Sequence, residues 1–383
     1  MKGKIDIISS KGDYLIVAGL WIIAEVLLFW KFGFNFQMEA EKYINEAKFI
    51  LENHRLSQAR YLFYFSTIFI IALSFSLKTG VYGAIVGIMI INLGSYLYFF
   101  KGLKNLFKNR AAAFVTILFL LTFWPYQSWS LFLYTECLFY SGVLILFSRL
   151  MLFEKIDTRF LFSLFFVLLF VVFSRPLGVL FIFPVLLFIY FHLSKKQKVF
   201  FYATLILAFF VLGWIVQVVF TSTPDWNMQR AFLEENIICD MPVAVTGVNL
   251  ELSDHPNQLY RLFFYVTHNF SHFAGLALTR LKFFFLSTRS YYSSLHNAYL
   301  LITLGIIYGL IAIGFKNVRK TFSTALVAFI YSSICFFALT IAVQCDDYHN
   351  RFFLTLMPFL AVLALPGGSL VLKKGLFLFQ NKV

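Results

Sequence analysis

"DYLIVAGLWIIAEVLLFW" (residues 13–30) is the stretch that decides the fold. Between Asp13 at its edge and Lys31 just beyond it, the run carries one charged side chain, Glu25. About 20 predominantly apolar residues let an α-helix cross the hydrocarbon layer of a bilayer. Comparable runs recur near 61–77, 80–100, 111–124, 131–152, 160–174, 178–194, 199–220, 298–315, 321–344 and 352–372. None alternates with the two-residue period of a membrane β-barrel. The whole chain of 383 residues is 60% hydrophobic and 13% charged, with 52 Phe, more apolar surface than a soluble fold can hide. In lipid, a helix satisfies every backbone group within its own segment. The expected fold is therefore an all-α, polytopic membrane protein, a single multi-pass domain over 1–383.

The formal net charge is +14, but Lys and Arg are gathered in short links between apolar runs. There they act as topology signals and contacts for anionic lipid, so membrane lipid is an expected partner and nucleic acid is not. Lys2, Lys4 and Lys11 place the N-terminus inside, as do Lys101, Lys104, Lys108 and Arg110 for their link. Arg149, Lys155 and Arg159, then Lys195, Lys196 and Lys198, then Lys316, Arg319 and Lys320 mark further inner links, and Lys373, Lys374 and Lys382 put the C-terminus inside as well. The basic start, "MKGKIDIISSKGDY" (1–14), precedes an apolar run followed by bulky residues rather than a small-residue cleavage site, so the first span is read as uncleaved. If both 61–77 and 80–100 crossed, the basic 101–110 link would lie outside. The run at 61–77, with Ser66, Thr67, Ser74, Ser76 and Lys78, is therefore expected to be a re-entrant or interfacial helix. About ten transmembrane helices remain. The outer side then holds a first loop at 31–79, the turn "FWPYQSWSLFLYTE" (123–136), a long loop at 222–297 and "QCDDYHNR" (344–351).

Nearly all the chemical variety lies in these outer segments. "MEAEKYINEAKFILENHRLSQARY" (38–61) repeats Ala40, Ile44, Ala47 and Leu51 at helical spacing, with Glu41, Asn45, Lys48 and Glu52 on another face. This predicts an amphipathic helix resting on the outer membrane surface. Glu39 sits at its first turn, one turn before Tyr43, where the positive helix end favours a carboxylate.

An acidic residue, Tyr four positions on, a surface helix, then Arg before an aromatic interfacial run resembles the glycosyltransferase-C superfamily. The likeness is to the bacterial arabinose- and mannosyltransferase-like members related to protein O-mannosyltransferases. Glu39, Tyr43, Arg60 and Tyr61 carry it here. "WPYQSWSLFLYTECLFYSGVLILFSRLML" looks like that group's outer Ser-Glu or Thr-Glu pair leading into a span, matched by Thr135 and Glu136. "VVFSRPLGVLFIFPVLL" looks like its Thr-Arg-Pro-x-Gly turn, matched by Ser174, Arg175, Pro176 and Gly178. "DDYHNRFFLTLMPFLAVLAL" looks like its late outer loop, matched by Arg351, Phe352 and Pro358. The family's acid in the first outer loop is usually Asp. This chain has Glu39 with Glu41 close behind, and the assignment between them stays open.

The resemblance implies transfer of a sugar from a polyprenyl-phosphate donor to a glycan, lipid or protein acceptor outside the cytoplasmic membrane. An acceptor hydroxyl needs a base or orienting carboxylate, for which Glu39, Glu41 and Glu136 are the candidates. The leaving phosphate needs fixed cations, for which Arg175, Arg351 and Arg60 are the candidates. Tyr43, Tyr61 and Asp347 are the further substrate-binding candidates. The early acidic turn, Arg175 and Arg351 are expected to converge at one outer pocket. No cofactor is implied, and no phosphate loop, dinucleotide fingerprint or strong zinc spacing is present.

Other features have plainer readings beside functional ones. Trp226, Tyr260, Tyr265, Tyr291 and Tyr292 in the long outer loop suit an interfacial aromatic belt better than a sugar platform. His268 and His272 share a helical spacing, with His255, His296, His349, Asp346 and Asp347 also outside, a weak basis for a metal. Cys239 and Cys345 lie in outer loops and could pair. Gly80, Gly83 and Gly87 suit close helix packing. Glu25 lies inside the first span, nearly the only mid-membrane polar group of its kind. A transporter or flippase of lipid-linked saccharide would want several such groups and paired repeats. An O-antigen-type polymerase would share the many spans and the large late loop.

Overall fold

The computed structural model describes residues 2–199, 201–202, 206, 210, 213, 229–239, 241, 243 and 250–380, with the backbone alone for 2–10 and 374–380. The described residues are all-helical, without strands. Three isolated β-bridges occur, Asn35 with Phe132, Ile238 with Met241 and Ile238 with Asp346. Five helical segments are long and apolar enough to cross a membrane: Lys11–Phe32, Ala59–Ser76, Gly80–Phe107, Ser294–Thr321 and Thr324–Val343. Two bent pairs raise this to seven if each is one span, Arg110–Thr122 with Trp124–Leu131 (69°) and Tyr348–Leu354 with Met357–Lys373 (56°). Pro125 in the second segment of the first pair and Pro358 in that of the second sit where a missing backbone N–H is least costly, at a helix start. Most of the 199–220 run, and Trp226, lie outside the described residues.

The chain divides into two compact units. The first comprises Met1–His192, Leu310–Phe329 and Met357–Val383; the second comprises Leu193–Gly309 and Ile330–Leu356.

In the first unit, α1 (Lys2–Phe32) is followed by α2 (Glu39–Asn53), a 3₁₀ stretch (Ala59–Tyr64), α3 (Phe65–Ser76), α4 (Gly80–Phe107) and α5 (Arg110–Thr122). Then come α6 (Trp124–Gln127), a 3₁₀ turn (Ser128–Leu131), α7 (Glu136–Met151), α8 (Thr158–Ser174), a 3₁₀ stretch (Pro176–Phe181) and α9 (Ile182–Tyr190). One stripe of α1 is buried, Val17, Trp21, Glu25 and Leu28, while Leu15, Ile22, Ile23, Val26 and Leu27 are exposed. An exposed face that apolar is what lipid solvates. Asp13, near the start of the Lys11–Phe32 apolar stretch of α1 and fully buried, pairs with Lys104 Nζ and Arg110 Nε, each at 2.7 Å. The start of that stretch, the end of α4 and the start of α5 therefore lie together. Beyond the other end of that stretch, Asn35 N donates to Leu131 O and Leu133 N donates to Asn35 O, each at 3.0 Å.

The Arg-Pro-x-Gly turn after α8 has a steric reason for its glycine. A Cβ on Gly178 would stand 2.3 Å from Val171 O, a backbone atom that no rotamer change can move. Gly178→Ala is expected to cost about 1–3 kcal/mol through the forced backbone shift, read as a lower melting temperature of the purified protein. Helices α13 (Ser294–Thr321) and α16 (Met357–Gln380) also meet backbone to backbone: a Cβ on Gly367 would stand 1.9 Å from Leu310 O. Close packing was expected at Gly80, Gly83 and Gly87 as well. Gly83 shows it, since a Cβ there would crowd Thr79 Oγ1 and stand 2.6 Å from Ser74 Oγ of α3, whereas Gly87 makes an ordinary 3.5 Å contact with Ile70 and Gly80 serves a left-handed turn with φ +62°.

In the second unit, the described part of the expected long outer loop holds three helices, α10 (Arg230–Leu233), α11 (Gln258–His268) and α12 (Phe270–Leu286), ahead of α13. Phe232, Tyr265 and Leu276 form a core with Leu262, Val266 and Phe273. Helix α14 (Thr324–Val343) leads into a 3₁₀ turn (Tyr348–Asn350) and α15 (Arg351–Leu354). Cys239 and Cys345 form a disulfide across 106 residues of sequence, which answers the pairing left open above. Cys239 N donates to Asp346 O and Asp346 N donates to Ile237 O, both at 2.8 Å, so the bridge also joins two backbone segments.

Candidate functional site

In the 31–79 segment α2 opens on an acidic first turn, and His54, just past its last residue, turns left-handed with φ 53° to end it. Its buried face is Ala40, Tyr43, Glu46 and Ala47. This differs from the expected stripe: Ile44 is half-buried and Leu51 is exposed. The physical reason is polar. Glu46 is buried because it accepts from Ser57 N at 2.8 Å and from Ser57 Oγ, closing the 54–58 turn back onto the helix. Tyr43 is fully buried because its ring packs on Tyr64, with centroids 5.4 Å apart, while its hydroxyl donates to Glu39 Oε1 at 2.9 Å.

Glu39 also receives Lys42 Nζ at 2.7 Å, and Lys42 lies over the rings of Tyr43 and Tyr64 at 4.8 and 5.4 Å. The Glu39 side chain keeps about a fifth of its surface open, 22%. Burial pushes the Tyr43 hydroxyl far above its ordinary range, with the charges of Glu39, Tyr64 and Glu136 adding to the effect and Arg175 opposing it. Tyr43 is thus a proton donor at neutral pH, and Glu136 and Arg175 are near enough to act on it.

Glu136 and Arg175 arrive from opposite kinds of helix end. Glu136 opens α7, where the helix N-terminus favours an anion, and Arg175 closes α8, where the C-terminus favours a cation. Arg175 Nη1 donates to Glu136 Oε1, and the side chains are 7% and 0% exposed. A buried pair of this kind offsets the cost of desolvating each charge only with good geometry. Thr135, just before Glu136, is 1% exposed.

The Glu39–Tyr43 pair and the Glu136–Arg175 pair therefore lie within electrostatic reach of each other in the first unit, with Lys42 and Tyr64 beside the first pair. Lys42 was legible as an i,i+3 partner of Glu39; Tyr64 carried no sequence signal beyond its type. Glu41 is exposed on α2, and Arg60 is exposed with its guanidinium 5.4 Å from the ring of half-buried Tyr61. Arg351 and Asp347 pair with each other in the second unit, Arg351 Nη2 to Asp347 Oδ1 at 2.6 Å.

The second unit also buries Arg289 against Asp346, at 1% and 2% side-chain exposure. Arg280 is fully buried, held by Asn236 O at 2.7 Å and Ala231 O at 2.8 Å, with Phe232 beneath its guanidinium. His272 lies between Tyr265 Oη at 2.5 Å and Glu235 Oε1 at 2.9 Å, whereas His268 stacks on Phe264. Among the described residues no three His, Cys, Asp or Glu gather into a metal-binding group.

Glu25 differs from its expected isolation. Gln127 Nε2 donates to its Oε1 at 2.5 Å and Ser130 Oγ to its Oε2 at 2.7 Å. Asn92, Trp21, Tyr96 and Ser141 continue the hydrogen bonds. The partners come from α1, α4, α7 and the 124–131 segment, a convergence that no local sequence pattern reveals.

The class these features define is a membrane-embedded protein, all-helical among the described residues, which hold five to seven candidate membrane-crossing helices and an acid–arginine cluster at the ends of α2, α7 and α8. Comparison with family models, with curated proteins and with solved structures gives no match.

Proposed function

We propose that this protein is a glycosyltransferase that moves a sugar from a polyprenyl-phosphate donor to an acceptor at the extracytoplasmic face of the cytoplasmic membrane. The observation that carries the reading is that Glu39 and Tyr43 lie within electrostatic reach of the Glu136–Arg175 pair. Glu39, the most open of the four, takes the proton of the acceptor hydroxyl. The acceptor oxygen bonds to the sugar's anomeric carbon as the carbon–oxygen bond to phosphate breaks. The electron pair leaves with the polyprenyl phosphate. Arg175, with five N–H donors in a fork, has the geometry to serve a phosphate and Glu136 together, and Lys42 adds a point charge beside Glu39. Glu136 holds Arg175 in place.

The finer topology belongs to this reading: about ten spans, both termini cytoplasmic and the 31–79 loop outside. Asp13 supports it, since its contacts with Lys104 and Arg110 return α4 to the start of the Lys11–Phe32 stretch of α1. On that path the Ala59–Ser76 segment, apolar enough to span, enters and leaves at the outer side. The Cys239–Cys345 bridge supports an oxidising, extracytoplasmic location for the 222–297 and 344–351 segments.

Transport of a lipid-linked saccharide is the second reading, and the polar network round Glu25 is what favours it. Purified full-length protein in liposomes with radiolabelled polyprenyl-phosphate hexose and pentose separates the two. Cleavage of the sugar–phosphate bond, with label released or passed to an added acceptor, supports transfer. Label that crosses the bilayer on intact donor supports transport. Neither event with either donor class overturns the transferase proposal.

A further inference from the structure

The Glu25 carboxylate is 4% exposed, seven residues before the outer end of α1. A carboxyl at such depth is costly and calls for a reason. Each oxygen has its own donor, Gln127 Nε2 and Ser130 Oγ. Gln127 is itself fixed at both ends of its amide: Nε2 also donates to Asn92 Oδ1 at 2.9 Å, and Oε1 accepts from Tyr96 Oη at 2.5 Å. Asn92 in turn accepts from Trp21 Nε1 at 2.8 Å and donates to Ser141 Oγ at 3.1 Å. A network satisfied in this way specifies direction as well as contact.

Its direction is informative. Gln127 and Ser130 both belong to the bent 124–131 segment, which continues through Phe132–Thr135 straight into Glu136. Asn35 grips the same segment from the other side, at Leu131 and Leu133, and Tyr134 Oη donates to Gln37 O at 3.2 Å. Those contacts join the turn to the loop that carries Glu39. Cys137, one residue beyond Glu136, is close enough to feel the charges of both Glu25 and Glu136. We infer that Glu25 is a positioning residue: by holding Gln127 and Ser130 it fixes the 124–135 turn, and so sets how Glu136 and Arg175 meet Glu39 and Tyr43.

The catalytic consequence rests on the transferase reading above; the structural consequence does not. Chemistry distinguishes a lock from a proton carrier at this position. In Glu25→Gln the new amide oxygen accepts from Gln127, and the new amide nitrogen donates to Ser130 Oγ. Ser130 then points its proton to Gln127 O, a bond already present at 2.8 Å. The lock survives without the charge. Glu25→Leu offers no acceptor: one N–H of Gln127 is stranded, and Ser130, left with Gln127 O alone, is no longer tied to α1.

The experiment is hydrogen exchange of the full chain in lipid nanodiscs, followed on peptides covering 31–37 and 128–136, with transfer kinetics alongside. Glu25→Leu is expected to exchange these peptides at least about tenfold faster while peptides of the second unit stay protected, the mark of local opening. It is expected to lower kcat by at least about tenfold with little change in donor KM, as when an interaction of the transition state alone is weakened. Glu25→Gln is expected to stay within about threefold of wild type in both, because its hydrogen bonds can re-form. Wild-type exchange in Glu25→Leu overturns the inference. So does Glu25→Gln behaving as badly as Glu25→Leu, since the charge or proton would then be what matters. Should Glu25→Leu fail to fold, Ser130→Ala removes one donor: faster exchange of 128–136 supports the lock, and unchanged exchange overturns it. Local opening in the variants of a protein that cleaves no donor even as wild type upholds the lock and removes the transferase reading.

Discussion

Glu39→Gln lowers the rate of sugar transfer by about 10²- to 10⁴-fold, the usual contribution of a positioned general base. The substitution preserves shape and can still accept from Tyr43 Oη, now bonded at 2.9 Å, so the fold is kept. It removes the carboxylate to which the proposed reaction gives the acceptor proton, and with it the negative charge beside Lys42. Donor binding should change little, so the loss falls on kcat and not on KM. Glu41→Gln, on the exposed side of the same helix turn, should change the rate by no more than about threefold, in line with surface substitutions generally. Initial rates with radiolabelled donor for the two variants decide the matter. A severe loss in Glu41→Gln with Glu39→Gln intact assigns the base to Glu41, and activity surviving both changes removes this helix from the chemistry.

Asp346→Ala destabilises the second unit by about 3–5 kcal/mol, the cost of leaving a buried ion without its partner. Among the described residues Arg289 then keeps backbone acceptors alone, Phe283 O and Thr288 O at 3.0 Å, for a buried guanidinium. Asp346 binds its proton more tightly in the folded protein, so its removal also removes that pH dependence, and the loss should narrow as pH rises from 5 to 8. Arg289→Leu should behave otherwise. Burial already pushes the Asp346 carboxyl up to about 6, with Arg289 opposing that rise. A carboxyl that binds its proton more tightly when folded adds stability at pH below its unfolded value, near 3.9, and loses it as pH climbs through the folded value. Without Arg289 the folded value rises further. The gap to wild type should be smallest at pH 5 and widen toward pH 8. Thermal unfolding across that range tests both variants; a gap between Arg289→Leu and wild type that does not change with pH would show that Arg289 does not govern the ionisation of Asp346.

How much of this could be read from residues alone differs from element to element. Runs such as 13–30 and 80–100 announce helices by length and apolarity, and the structure has α1 and α4 there. The surface helix was legible from its spacing, but its buried face was not, because Tyr43 and Glu46 are drawn inward by partners at Tyr64 and Ser57. The long outer loop concealed α11 and α12 because their apolar content falls below that of a membrane run. Glu39 and Tyr43 were recognisable as a local pair one helical turn apart. The family pattern named Glu136 and Arg175 separately; that they pair with each other, 39 residues apart, was legible in neither that pattern nor any rule of spacing.

Sequence alone determined the solvent and the grammar of this protein: apolar length demands helices in lipid, and the placement of Lys and Arg assigns their links. Tertiary structure alone decided which polar groups share a place. Hydrophobic burial is non-directional and reads off composition, whereas a hydrogen bond or ion pair in a low-dielectric interior depends on angles and ångströms. Glu25 needed α4 and the 124–131 segment beside it to become the anchor of a turn, and Glu136 needed the end of α8 to meet its arginine.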